Sequence, residues 1–305
     1  MSETRLHDDT RATYNQLRYS GSLKMLIAQI TDIHLGFEPD NPEEFNRQRL
    51  DKILRKLSAM SLLPDMLICT GDLTDNGDID SYKRLKEALA GAPCETYLCL
   101  GNHDDRRNFL DVFPDTPSTD GFVNYVIDKG AFMLVVLDTL EPGEHGGAFC
   151  ERRAAWLSET LDACADRPVI IALHHPPVRH GIEWMDADPS AEWIKRLSGV
   201  LRNRSNIYAM LAGHVHRPFT TRFENHLLAV TGSAAPQVAL DLAPIDPSNP
   251  DNRPMIVAEE PGYSLHHWTG NGLVTFFETA GDYPTLARFD ASLQPLVQSL
   301  LPNGT

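Results

Sequence analysis

Five short, almost wholly apolar runs, at residues 25–30, 66–69, 97–100, 169–173 and 208–212, each stop abruptly at polar side chains. Runs of this length, bounded by turn residues, read as strands buried on both faces. Between them the apolar spacing turns helical. Leu50, Ile53, Leu54 and Leu57 recur at helical intervals after Asn41-Pro42-Glu43-Glu44, which offers a cap, a first-turn proline and acidic charge. Further helices are expected over 81–90 and 151–164 and around Trp193, Ile194, Leu197 and Leu201. Strand and helix alternating in this way define an α/β class with helical crossovers. Open α/β sheets gather ligands where their strands end, so the residues that follow each run are the first candidates for function.

The rest of the chain reads as additions to this frame. Residues 123–127 and 132–137, joined by Asp128-Lys129-Gly130, form an expected hairpin; 219–223 and 227–230 form a strand pair, extended by 263–268 and 273–277. Loops are expected at 141–147, 178–188 and, rich in Pro, Asp and Asn, at 243–260. The expected organisation is a polar arm over 1–22, one catalytic domain over 23–240, and a C-terminal part over 241–305 whose strands complete the sheet and which offers a contact for oligomerisation. A formal charge of −15 argues against nucleic acid as a partner, since non-specific binding there draws on Lys and Arg. An anionic substrate would need locally fixed positive charge, which bound metal ions can supply. The first 22 residues hold no apolar core of a leader, and no run is long enough to span a membrane; the expectation is a soluble, cytoplasmic protein without a membrane partner. Five cysteines, odd in number and without a C-x-x-C pair, are expected as free thiols.

At the strand ends stand Thr31-Asp32-Ile33-His34, Thr70-Gly71-Asp72, Gly101-Asn102-His103-Asp104-Asp105, His174-His175-Pro176-Pro177 and Gly213-His214-Val215-His216. Singly, each suits a turn, a helix cap or a hydrogen-bonded core histidine. Together they are too many to be coincidence, because parallel strands bring their ends to one place. Imidazole, carboxylate and carboxamide oxygen suit Fe, Mn, Zn or Co better than Ca, and the lack of cysteine among them argues against a structural zinc site. Seven such ligands exceed what one ion takes and suit two. A shared carboxylate is the natural bridge, and ions about 3.5–4 Å apart can hold a hydroxide and a phosphoryl oxygen together. The chemistry indicated is phosphoester hydrolysis.

The series D-x-H, G-D, G-N-H-D, H and G-H-x-H, in that order from Asp32 to His216, resembles the calcineurin-like metallophosphoesterases. Gly101 to Arg106, Ala172 to Pro177 and Glu260-Pro261-Gly262-Tyr263 are similar to the bacterial class III cyclic nucleotide phosphodiesterases and their glycerophosphodiesterase relatives. The resemblance implies a four-layer α/β/β/α sandwich with mixed sheets and a site at the C-terminal strand ends. It implies that Asp32, His34 and His216 bind one divalent or trivalent ion, that Asn102, His174 and His214 bind a second, and that Asp72 bridges them. It leaves His103 off the metals, serving the leaving oxygen, with Asp75 placed to orient it; Asn102 also holds the phosphoryl group. The implied substrate is a small phosphodiester, a 3′,5′-cyclic nucleotide ahead of a glycerophosphodiester, attacked by a hydroxide held between the ions, and the implied assembly is a homo-oligomer, a dimer or larger. His175 is expected to be structural, and His145, His180 and Trp184 are expected as loop neighbours of the substrate. A nuclease or pyrophosphatase on the same fold is weakened by the acidic balance and by the lack of a basic amphipathic helix. A non-catalytic scaffold would be expected to lose a ligand or His103, and none is missing.

Overall fold

The computed structural model describes residues 24–41 and 43–301; the expected arm over 1–22 and Pro42 lie outside them. Strands β1 (Met25–Ile30), β2 (Met66–Thr70) and β3 (Glu95–Cys99) run parallel and in sequence order. Helices α1 (Phe45–Ser58) and α2 (Ile79–Leu89) form their crossovers. Helix α1 begins at Phe45 rather than next to Asn41, because Glu44 is drawn inward. Its buried carboxylate accepts hydrogen bonds from the Gly36 and Glu38 amides at 2.9 and 3.2 Å, which braces the loop after β1. A short helix, α3 (Arg106–Val112), starts right after Asp105, whose carboxylate accepts from the Asn108 amide.

The second sheet contains β4 (Tyr125–Asp128), β5 (Met133–Val136), β6 (Val169–Ala172), β7 (Ile207–Ala212), β8 (Phe219–Phe223) and β9 (His226–Val230), in the order β4-β5-β6-β7-β9-β8. Its four central strands are parallel, and β4 and β8 close the edges antiparallel. Helices α4 (Glu151–Ala163) and α5 (Glu192–Leu201) cover one face. Period-two alternation assigns the faces. Leu134, Val136, Ile170, Ala172, Ala209, Leu211 and Ala229 pack toward the first sheet, whereas Val135, Ile171, Met210, Leu228 and Val230 pack with Leu157, Leu161, Ile194 and Leu197 of the helices. The layers are therefore helix, sheet, sheet, helix. Alanines on the facing surface of the second sheet, Ala172, Ala209 and Ala229, let the sheets approach closely.

A two-stranded ribbon, β10 (Gln237–Val238) and β11 (Ile256–Val257), lies beside the strand ends. Strands β12 (Gly262–Trp268) and β13 (Leu273–Thr279) follow, and here the structure corrects the sequence reading. They do not extend β8 and β9; β12 runs antiparallel to β1, pairing Met25 with Trp268, and β13 forms the far edge of the first sheet. The reason is burial of one whole face of β12: at alternate positions Ser264 and His266 are fully covered and Trp268 is 1% exposed against Phe132, whereas Leu265 and His267 on the other face are half-buried. A position beside β1 turns that face toward the second sheet, where His266 meets Gln29 and Trp268 meets Phe132. The last element, α6 (Gln294–Leu300), buries none of its residues.

Candidate metal centre

The sequence-derived site residues converge at the C-terminal ends of the parallel strands. Asp32 and His34 follow β1, Asp72 follows β2, Asn102 and His103 follow β3, His174 follows β6, and His214 and His216 follow β7. Close packing sets them there. Gly71 has φ +90°, and a Cβ on it would lie 2.4 Å from Nδ1 of His174; a Cβ on Gly101 would lie 2.3 Å from Asp72 Oδ1. The glycines let neighbouring strand ends touch, and the ligating side chains follow them into one hollow.

Besides a group of His34, Asp75 and His103, two further groups of donor atoms result among the described residues. Asp32, His34, Asp72 and His216 form one, and His174, His175 and His214 form the other, each with its donor atoms within 4.8 Å of one another. Asp72 joins them: its Oδ2 lies 3.5 Å from His34 Nε2 and 3.2 Å from His174 Nε2, while its Oδ1 accepts the His103 amide at 2.9 Å. Asp32 is fixed by the His214 amide at 3.0 Å and lies 3.5 Å from His216 Nε2. Asn102 Oδ1 lies 3.2 Å from both His174 Nε2 and His175 Nε2.

The outer nitrogens of the rings decide what the inner ones can do. His34 Nδ1 faces a carboxylate oxygen of Asp75 at 3.2 Å, His216 Nδ1 faces the Pro236 carbonyl at 2.8 Å, and His174 Nδ1 faces the Thr70 carbonyl at 2.7 Å. Each acceptor requires a proton on Nδ1, so the Nε2 atoms carry lone pairs when the rings are neutral. His34 Nε2 and His216 Nε2 then face each other at 3.1 Å with nothing to donate. A cation between them resolves that repulsion, and the donor set fits a metal.

The charge balance agrees. Burial pushes Asp32 up to about 6, and the Asp72 carboxylate adds to this. Burial would raise Asp72 too, but His174, His34 and His103 outweigh it and hold its carboxyl well below the usual range. Burial works to lower His174, yet Asp72 holds it up to about 9. His214 is pushed down to about 3 by burial and by the His174 charge. At neutral pH both carboxylates are thus ionised among closely packed imidazoles, a buried negative charge that cations complete.

The catalytic candidates stand beside these groups. His103 Nδ1 donates to the Asp75 main-chain carbonyl at 2.8 Å, whereas the Asp75 carboxylate sits closer to His34 than to His103, which is 4.0 Å away. Asp75 therefore orients His103 through its backbone and His34 through its side chain. Asp104 is buried beneath, accepting from the Leu73, Thr74 and Gly101 amides and the Tyr82 hydroxyl; burial nevertheless pushes it up to about 6. His175 sits deeper in the site than its sequence suggests. Its Nδ1 is 2.8 Å from Thr139 Oγ1 and its Nε2 faces Asn102, a contact signalled only by adjacency to His174. His145 faces His103 with ring centroids 6.4 Å apart, and it and Trp184 line the cavity over the site. His180, half-buried against Phe219 and the Asp186 loop, is not among the residues lining that cavity.

A group of imidazoles and carboxylates and a neighbouring group of imidazoles, joined by one aspartate at the strand ends of a four-layer sandwich, define the class as a metal-dependent hydrolase. Residues 25–218 match the model of the calcineurin-like phosphoesterase family. The chain belongs to that family. A protein of Arcobacter nitrofigilis named "Probable glycerophosphodiester phosphodiesterase GpdQ" is 31% identical over 265 residues, covering 85% of this chain and 94% of that one. A "Probable cyclic nucleotide phosphodiesterase" of Rhodopseudomonas palustris is 39% identical over 189 residues, covering 59% and 67%. Among solved structures, a dimetal phosphatase from Danio rerio superposes with TM-score 0.57 at 14% identity, covering 84% of this chain and 99% of that one, a likeness of fold.

Proposed function

We propose that the protein is a dinuclear phosphodiesterase acting on small diesters, with Asp32, His34 and His216 holding one ion, Asn102, His174 and His214 the other, and Asp72 between them. The observation that carries this is the position of Asp72 Oδ2, within 3.5 Å of His34 and 3.2 Å of His174. Ions held there supply Lewis-acid chemistry toward a phosphoryl group and lower the pKa of water. The chain's own groups do the rest. Asn102 orients a phosphoryl oxygen with its carboxamide. His103 keeps Nδ1–H on the Asp75 carbonyl and presents its Nε2 edge to the departing alkoxide. The relatives named above supply the diester class, and the mixed nitrogen and oxygen donors suit Fe, Mn, Zn or Co.

A reducing compartment such as the cytoplasm suits the five cysteines, none of which is paired. Among the described residues no helix is long and apolar enough to cross a membrane. Exposed Phe276 and Phe277 on β13 and exposed Leu286, Phe289 and Leu300 beyond it support a homo-oligomer. The test of function is turnover of bis(p-nitrophenyl) phosphate before and after chelation. Activity that vanishes with chelator and returns with Mn²⁺ is expected; activity indifferent to chelator, or none under any metal, contradicts the reading.

A further inference from the structure

Two cavities meet at His34 and His216. One, of about 680 Å³, extends over Asn102, His103, His145 and the rings of Trp184 and Trp193. The second, of about 600 Å³, extends over Phe37, Phe45, Ala235 and Pro236. Ile256 borders both. The exposed lining of the second is mostly apolar, although Glu38, Glu44, Asn46 and Asp75 also border it, and it is built to stay open. Phe37 is 68% exposed and Phe45 46%, although large aromatic rings gain most from burial. Their loop is not free to fold inward. The Glu44 carboxylate grips the Gly36 and Glu38 amides, and Glu38 Oε2 accepts the Phe45 amide at 3.1 Å. An apolar concave wall held open beside a reactive centre is the usual form of a small-molecule subsite.

We propose that the second cavity holds the retained substituent of an open-chain phosphodiester, an aromatic or other apolar group, while the first takes the leaving alcohol beside His103. This rests on the phosphodiesterase reading above. Only the first cavity contains His103, so the bond broken must point there. Hydrolysis forms a P–O bond from water and breaks the bond to the leaving alcohol, whose oxygen takes up a proton. The product is a monoester still carrying the retained group. An open-chain diester, whose two ester groups can point apart, reaches into both cavities.

The test holds the leaving group constant and varies the retained one. Methyl p-nitrophenyl phosphate and phenyl p-nitrophenyl phosphate are compared in the Mn²⁺-loaded full chain and in Phe37→Ala and Phe45→Ala. The phenyl diester should have the higher kcat/KM by at least about tenfold. That ratio should fall below about three in Phe45→Ala, with the loss in KM. Phenyl phosphate should also inhibit more tightly than methyl phosphate in the parent enzyme, and that gap should close in the variant. A parent ratio near one, or a ratio unchanged in both variants, overturns the proposal. No turnover of either ester overturns the phosphodiesterase reading and the subsite with it, so the two failures are told apart.

Discussion

Asp32, His34, Asp72, His214 and His216 all have φ between 47° and 73°, and they are five of the nine non-glycine residues at positive φ among those described. Each such residue costs on the order of 1–2 kcal/mol, because Cβ crowds the following carbonyl. The backbone holds that strain where it turns successive side chains toward one point. Gly101 shows how little slack remains: Gly101→Ala places a methyl group against Asp72 Oδ1 and its backbone nitrogen, both within 2.4 Å. The substitution should lower stability by about 1–3 kcal/mol and reduce metal retention, both readable by thermal denaturation and metal analysis. His103 separates binding from chemistry. His103→Ala should lower turnover of a diester with a poor leaving group by roughly 10²–10⁴ while metal content stays near the parent value. A loss of metal together with activity would place His103 among the ligands.

At the scale of strands, a buried polar chain ties the two sheets together beneath the site. Gln29 of β1 donates to Thr70 Oγ1 at 2.7 Å and to the Ala212 carbonyl of β7 at 2.9 Å, and its carbonyl oxygen lies 2.9 Å from His266 Nε2 of β12. Thr231 donates to the same oxygen at 2.7 Å. Burial pushes His266 down to about 3, so it stays neutral in the folded protein. Its unfolded value is near 6.5, so the folded state resists a proton that the unfolded chain accepts. The stabilising contribution is complete above about pH 6.5 and is lost as pH falls toward 3, by up to about 1.4 kcal/mol per pH unit. Chemical denaturation at pH 7 and pH 5 should show a steeper loss in the parent than in His266→Gln; equal slopes would remove His266 from the account. None of this was legible in the sequence. Gln29 stands out only as the polar member of an apolar run, and nothing local links it to residue 266.

Across the whole molecule, what the sequence disclosed and what it hid follow the range of the interactions. Strands with buried faces, and ligands directly after them, are local patterns, so β1, β2, β6 and β7 and the side chains at their ends were readable. The placement of β12 beside β1, the Asn102 contact of His175 and the inward turn of Glu44 depend on partners far along the chain, and these the pattern missed or misplaced. The exposed apolar residues of β13 and α6 belong to this scale as well, and light scattering after size exclusion should give a mass above 34.0 kDa; a monomer at micromolar concentration would contradict the oligomer. The central claim is that one aspartate joins two metal groups. Asp72→Asn, nearly isosteric, keeps the shape and removes the charge. Metal analysis should find about two ions per parent chain and fewer than about one in Asp72→Asn, with turnover of bis(p-nitrophenyl) phosphate lost in parallel. A variant that keeps both ions and its activity would contradict the account.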